Sequence, residues 1–520
     1  MARLTRSLAL CGVLCAPAAP LLAQTAASDP AVERALGTIT AADFAAKLDA
    51  LAHDSTRGRE TPSPELARAT EWVAAQFRAA GLTPAGDAGG FLQAFRLSHE
   101  RIDSSSTVTV SGPGTTSSWR LGGEIVYAGG GPPAPLTDLP VVLLIGVPEE
   151  GSPVFRDVSV RGAVVLHLAA PDKLSGRVLN PIFQAAQDAG ARAHIVASEL
   201  PADLWDQLRA SSLPARWRVV GVPEQDAGFR LATYGVQAAA VAEMLAAVGE
   251  ASPAVLISSD HRARVLDGVT ISIAVRYAAL QEPEVANVVG VLEGSDPAFR
   301  NEAVVFTGHI DHVGTIPGRC RPSEVLPADS ICNGADDNAS GTVGVIELAE
   351  AFAALERRPA RTLVFAAVTA EERGLCGSRF YVEHPVIPID RTVAELNLDM
   401  IARNPPDTVG FVGKDYTSLG AVVDRVLEAN PQLSLVAAEH QGRYGASDHY
   451  PFAQRGVPSL FFFSGEHDDL HTAADNPSRA NAEQAARIVR LAFLTGLEVA
   501  NAAGRPVWDE EVRARIVRTP

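Results

Sequence analysis

The sequence predicts an α/β protein, a mostly parallel mixed sheet sandwiched by helices, with a small β-rich domain inserted into it. Three observations lead there. From about residue 285 onward, short apolar runs alternate with stretches of helical periodicity. One run, Leu363-Val364-Phe365-Ala366-Ala367-Val368, is apolar at every position, as a parallel strand covered on both faces must be. Between about 112 and 264 the texture changes to short strands punctuated by Gly and Pro, opening at Ser111-Gly112-Pro113-Gly114.

Residues 1–23 read as a secretory signal. Arg3 and Arg6 give a basic start, Leu8 to Leu14 an apolar stretch, and Ala16 to Ala23 a small-residue cleavage region ending at Ala23. The apolar part is too short to span a bilayer, and no later segment reaches ~18 uninterrupted apolar residues. The expectation is a secreted or periplasmic protein without stable membrane insertion. Helix spacing within 40–82 places Leu66, Ala69, Val73 and Phe77 on one face, with Gly81 as terminator. Residues 92–110 alternate as a strand does. The inserted part, 112–264, reads as strands at Val141–Ile145, Ala163–Leu168 and His194–Ala197 with a helix over Ile182–Asp188. The remaining strands are expected at Asn287–Leu292, Ala303–Thr307, Thr362–Val368, Ala394–Leu398 and Ser459–Phe463, and helices at Val343–Leu355 and Ala482–Val499. Residues 24–111 and 265–505 thus form one discontinuous domain, and 506–520 a tail.

A chain of 520 residues exceeds one average domain, and 47% hydrophobic content is ample for a core. The formal net charge of -17 argues against a nucleic-acid or anionic-membrane partner. Oligomeric state is left open, a monomer included. Beyond the signal, Cys320 and Cys332 can close a short loop in an oxidising compartment, and Cys376 reads as a buried small hydrophobe.

In open α/β sheets, ligands bind beyond the carboxyl ends of the strands. His309, Asp311 and His312 stand at one such end, and Asp336 and Asp337 in a loop before the next helix. Glu371 and Glu372, Asp399, and His467 and His471 follow at later ends. Two adjacent glutamates repel unless a cation or proton relieves them, and a metal does so with one Glu as ligand and its neighbour as base. His309, Asp336, Glu372, Asp399 and His471 supply two imidazoles and three carboxylates, enough for two divalent cations that share one carboxylate. Zinc accepts this N/O set without cysteine.

The chain resembles the secreted co-catalytic zinc exopeptidases, which include bacterial aminopeptidases and glutamate carboxypeptidase. The likeness spans about 40 to 500 and rests on Gly308-His309-Ile310-Asp311, Asn333-Gly334-Ala335-Asp336-Asp337-Asn338-Ala339-Ser340-Gly341, Glu371-Glu372, Asn397-Leu398-Asp399-Met400 and His471-Thr472-Ala473-Ala474-Asp475. It implies two zinc ions and peptide substrates. His309 would bind one zinc and His471 the other, Asp336 would bridge them, and Glu372 and Asp399 would be terminal carboxylates, one on each. Glu371 would be the general base and Asp311 the group orienting His309. Ser447-Asp448-His449 resembles a segment beside the family's substrate pocket. Leu470 stands where some relatives carry a hydroxylated aromatic, so Tyr444 or His449 is the candidate oxyanion donor. His312, His440 and His467 are taken as non-ligands. The 112–264 module resembles a protease-associated domain. The implied activity is a zinc aminopeptidase; the alternatives are a carboxypeptidase of the same family, a single-zinc glutaminyl cyclase, or a non-catalytic receptor-like protein.

Overall fold

The computed structural model describes residues 29–149, 151–213, 215–223, 231–439 and 444–518. The signal segment 1–23 and His440 lie outside the described residues.

Four parallel strands form the centre of the larger, eleven-stranded sheet, in the order Thr362–Val368, Ala303–His309, Thr392–Leu398 and Ser459–Phe463. Every residue of these strands is buried. That is the reason they are mostly apolar, although Thr392–Leu398 also buries Glu395 and Asn397. Antiparallel neighbours complete the centre on either side, Glu284–Leu292 against Thr362–Val368 and Thr408–Val412 against Ser459–Phe463.

Helices cover both faces. On one, Ala41–Leu51, Pro64–Ala79, Gly341–Ala353 and Ala482–Asn501 share a core with Phe306 and Phe365, whose stacked rings lie 5.3 Å apart. Each fully buried Phe of this kind contributes about 1.5–3 kcal/mol. Pro64–Ala79 starts where the Ser63 side chain accepts from the Leu66 N–H, and Gly81 follows its end at φ 79°. The expected helical region 40–82 is therefore two helices, divided by a tight turn over Asp54–Arg59. On the opposite face Cys376–Glu383 and His449–Gln454 bring Tyr381 and Phe452 against Val305 and Val364.

The second sheet has eight strands and its own core, with Leu143, Leu166, Ile195 and Tyr234 among its members. Its first strand, Thr107–Gly112, pairs with its last, Arg262–Ala274, so the sheet spans more of the chain than the expected 112–264. The alternation of 107–110 suits either sheet, and only pairing decides to which it belongs. Ala215–Val219, from within the same stretch, joins the larger sheet antiparallel to Leu92–Ile102. There Arg216 and Arg218 both donate to the buried Glu100 carboxylate. Residues expected to be a plain tail include a helix, Glu510–Ile516, and a Trp508 indole that donates to the Gly456 carbonyl at 2.9 Å. Cys320 and Cys332 form a disulfide with Cα atoms 5.6 Å apart, while Cys376 is buried and free, its thiol pushed up to about 12 by burial. Among the described residues no helix is long and apolar enough to cross a membrane.

Candidate metal centre

His309 is the last residue of its strand, and its Nδ1 donates to the Asp311 carbonyl at 3.0 Å. That bond sets the tautomer and leaves Nε2 to face the cleft. Asp399 follows the next strand. The Ser447 hydroxyl donates to Asp399 Oδ2 at 2.6 Å and is itself held by Asn397 Nδ2 at 2.7 Å. Glu371 and Glu372 leave their strand through Ala370, whose φ of 64° turns the chain sharply. Arg319 donates to both the carbonyl (2.8 Å) and Oε2 (2.7 Å) of Glu372, which leaves Oε1 for the cleft. His471 sits in a turn at φ 56°, with Arg321 N donating to its carbonyl at 2.8 Å.

Asp337 completes the group from the turn before Gly341–Ala353. The Asp475 carboxylate accepts the N–H groups of Asp336 (2.9 Å) and Asp337 (3.1 Å). Asn338 donates to the Leu398 carbonyl at 3.0 Å and so ties the turn to the Asp399 strand. At Gly341 an added Cβ would lie 2.0 Å from the Leu398 oxygen, so only glycine lets the helix start so close to that strand.

Asp337 belongs to two donor groups, His309–Asp337–Asp399 and His312–Asp337–Glu372–His471. In the first, His309 Nε2 is 3.3 Å from Asp337 Oδ1 and 3.6 Å from Asp399 Oδ2. In the second, His471 Nε2 is 3.1 Å from Asp337 Oδ2 and 3.1 Å from Glu372 Oε1. A tetrahedral ion bound at the usual zinc distances sets its ligand atoms about 3.3 Å apart. Buried Asp399 Oδ1 and Glu372 Oε1 have no hydrogen-bond partner. The donor set, spacing and orphaned oxygens fit a pair of divalent cations.

Of the expected ligands, His309, Glu372, Asp399 and His471 enter these groups, whereas Asp336 does not. Its Oδ1 accepts from Ala402 N at 2.7 Å, and its Oδ2 lies 3.2 Å from His467 Nε2. Neighbouring side chains in this turn point opposite ways, so the shared carboxylate is Asp337. His467 lies outside both groups, whereas His312, expected to be a non-ligand, lies inside the second group. Asp311 orients His309 through its backbone carbonyl. Its carboxylate serves others, accepting from Glu371 N at 3.1 Å and from the Thr61 hydroxyl at 2.8 Å. Tyr444, Asp448 and His449 are buried beside the centre and do not line the cleft. Asp448 accepts from Ser378, and the Tyr444 ring packs against His449. Sequence reasoning missed Arg59, fully buried, whose guanidinium donates to the carbonyls of Leu51, Ile310, Asn333 and Gly334. It clamps the loops that carry His309 and Asp337, and its burial lowers its pKa to about 10.

Charge at the centre is unbalanced toward anions. Burial, with the Glu372, Asp448 and Asp399 charges, lifts Glu371 well above the carboxylate range despite His309. Burial also lifts Asp399. It opposes protonation of His309, yet the Asp399 and Glu371 charges raise that ring well above its ordinary value. His471 rises to about 10 against its own burial, because the Asp337 and Glu372 carboxylates lie beside it. Dications would offset this excess of negative charge.

The donors form the floor of a cleft of about 220 Å³, walled by Met400, Phe461, Phe463 and Leu470. Among the described residues none from the second sheet lines it. A larger hollow of about 480 Å³, between Pro62–Glu71 and the strands at Leu92 and Val285, contains no imidazole.

Residues 287–495 match the description Peptidase family M28. Leupeptin-inactivating enzyme 1 of Streptomyces exfoliatus is 34% identical over 160 residues, 29% of this chain and 35% of that protein. Leucine aminopeptidase 1 of Grosmannia clavigera is 28% identical over 203 residues, 34% of this chain and 45% of that protein. The chain thus spans less than half the length of these two relatives. A solved aminopeptidase from Aneurinibacillus sp. strain AM-1 superposes with a TM-score of 0.47 at 18% identity, covering 92% of this chain and 98% of that one. Residues 287–495, which carry every strand end and turn of the centre, are thus the part of the chain that is similar to peptidase family M28.

Proposed function

We propose that the protein is a two-zinc aminopeptidase that removes N-terminal residues from peptides. The observation that carries this reading is the pair of donor groups meeting at Asp337 beside the partly buried carboxylate of Glu371. His309, Asp337 and Asp399 would hold one zinc, and Asp337, Glu372 and His471 the other. When bound, the pair supplies Lewis-acid polarisation of a scissile carbonyl and makes water more acidic.

Glu371 takes the proton of the attacking water and returns it to the leaving amine. Burial makes it a stronger base than an exposed carboxylate, and the bond from its N–H to Asp311 holds its backbone in place. Phe461, Phe463, Met400 and Leu470 offer an apolar wall for the substrate's terminal side chain. Asp337, Glu371, Glu372, Asp399 and Glu466 line the cleft, and among the described residues neither Lys nor Arg does. Five carboxylates against the four positive charges of two dications leave the cleft slightly anionic, which favours the amino end of a peptide over the carboxyl end. The disulfide supports residence in an oxidising compartment, secreted or periplasmic.

A peptide panel with an apolar first residue tests this. Free peptides should be cleaved, N-acetylated ones spared, and a chelator should abolish cleavage until zinc is restored. Cleavage of acetylated peptides that stops only when the carboxyl end is amidated would replace the aminopeptidase with a carboxypeptidase.

A further inference from the structure

We propose that His312 is a fourth protein ligand of the cation held by Asp337, Glu372 and His471, which makes the two metal positions unequal. The inference rests on the two-cation reading above and deepens it.

His312 lies three residues beyond His309, in the loop that follows the strand, and its N–H donates to the Arg59 carbonyl. The ring is buried. Its Nδ1 is 3.2 Å from Glu372 Oε1 and 3.5 Å from Asp337 Oδ2, slightly longer than the 3.1 Å that His471 Nε2 shows toward each of those two oxygens. No hydrogen bond joins them: both nitrogens of His312, and Glu372 Oε1, are buried without a partner. Imidazole and carboxylate atoms that converge at this distance are arranged for a cation.

The surroundings hold the ring in place. Gly334, at φ 59°, passes so close that an added Cβ would lie 2.4 Å from His312 Cγ. The His471 ring meets it edge to face, with centroids 5.3 Å apart. Arg319 occupies Glu372 Oε2, so that glutamate offers one oxygen. One donor atom from each of His312, Asp337, Glu372 and His471 lies within 4.8 Å of all the others.

Four protein donors close a tetrahedral site, as in structural zinc centres, while three leave a position open, as in catalytic ones. The His312 position is thus the closed one and fills first. The position of His309 and Asp399 keeps the coordination place that exchanges.

Chelator-stripped protein titrated with zinc against a chromophoric competitor tests this. Wild type should take two equivalents, one much tighter. In both His312→Ala and His312→Asn the tight equivalent should weaken by more than the ~10–100-fold typical of losing an outer hydrogen-bond partner. Asn keeps an N–H for Glu372, so near-wild-type affinity in His312→Asn would make His312 a hydrogen-bonding support and overturn the proposal. X-ray absorption of wild type loaded with one equivalent needs no variant to fold. Two imidazoles on that first zinc are expected, and one would overturn the proposal. In His309→Ala the tight equivalent and its two imidazoles should persist. Two equivalents in wild type with unchanged affinities in His312→Ala would sink this inference and leave the two-zinc reading standing. A single wild-type equivalent at saturating zinc would sink the two-zinc reading instead, and the imidazole count in His309→Ala would still decide on His312.

Discussion

Glu371 and Glu372 are neighbours in sequence but have opposite surroundings. Glu372 is held by Arg319 and faces two imidazoles, and against its burial and the Asp337 charge they bring its pKa down to about 2. Glu371 faces carboxylates and is lifted. Glu371→Gln should therefore lower peptide cleavage by the ~10²–10⁴-fold of a lost general base, with zinc content unchanged in metal analysis. Glu372→Gln should lose zinc. The Asp336–Asp337 pair separates in the same way. Asp337→Asn should lose both zinc equivalents, because both donor groups share it. Asp336→Asn should keep them and cost thermal stability on the order of 1–3 kcal/mol, the range for a disturbed buried hydrogen bond. Zinc loss from Asp336→Asn with retention in Asp337→Asn would reverse the assignment.

Element ends deliver these side chains, and the cost is local strain. Ala370, Met400 and His471 all adopt positive φ where strands run into the centre, a conformation costing non-glycine residues roughly 1–2 kcal/mol each. The loop closed by Cys320 and Cys332 is the other element with leverage on the centre. Arg319, immediately before it, reaches Glu372, and Arg321 within it reaches the carbonyls of Leu470 and His471. A bridge over a loop of this length stabilises by about 3 kcal/mol in the chain-entropy picture. The double variant Cys320→Ser/Cys332→Ser should melt earlier in a calorimetric scan. It should also release zinc at lower chelator concentration, since Arg319 is then held less firmly. A lower melting temperature with unchanged zinc retention would show that the loop stabilises the fold without supporting Glu372.

At the scale of the molecule, the two sheets share a sensitivity to acid. His167 and His194 are buried side by side in the second sheet, and burial holds the first at about 4 and the second well below its ordinary value. His449, buried against the larger sheet, is held at about 3 by the same cause. In the unfolded chain each titrates near ~6.5, so below that pH the unfolded state binds more protons. Stability from these rings is complete above ~6.5 and is lost as pH falls toward their folded values, about 2 kcal/mol per ring by pH 5. Buried Asp448 and Asp475 act in the opposite sense, burial raising them to about 7 and about 6, but both lie next to the metal centre. The second sheet offers the cleaner measurement. His194→Leu should flatten the fall in melting temperature between pH 7.5 and 5, and an unaltered slope would remove His194 from the account.

Strand periodicity and the direction of a parallel sheet were legible in the sequence, because an apolar run covered on both faces has few alternatives. They placed His309, Glu371, Glu372, Asp399 and His471 at adjacent strand ends, where the folded chain brings them together. The second sheet was visible as a change of texture, but its ends were not, since strand pairing joins Thr107–Gly112 to Arg262–Ala274 and sends Ala215–Val219 to the other sheet. The choice between Asp336 and Asp337 was also beyond the sequence. Both sit in an irregular turn whose orientation is set by Asp475, Ala402 and Leu398, residues more than 60 positions away in the chain. His312 reads as a spare imidazole until Gly334 and Glu372 close around it. Local pattern determines where a strand ends; which of two neighbouring side chains then faces the cleft depends on contacts that exist only once the chain has folded.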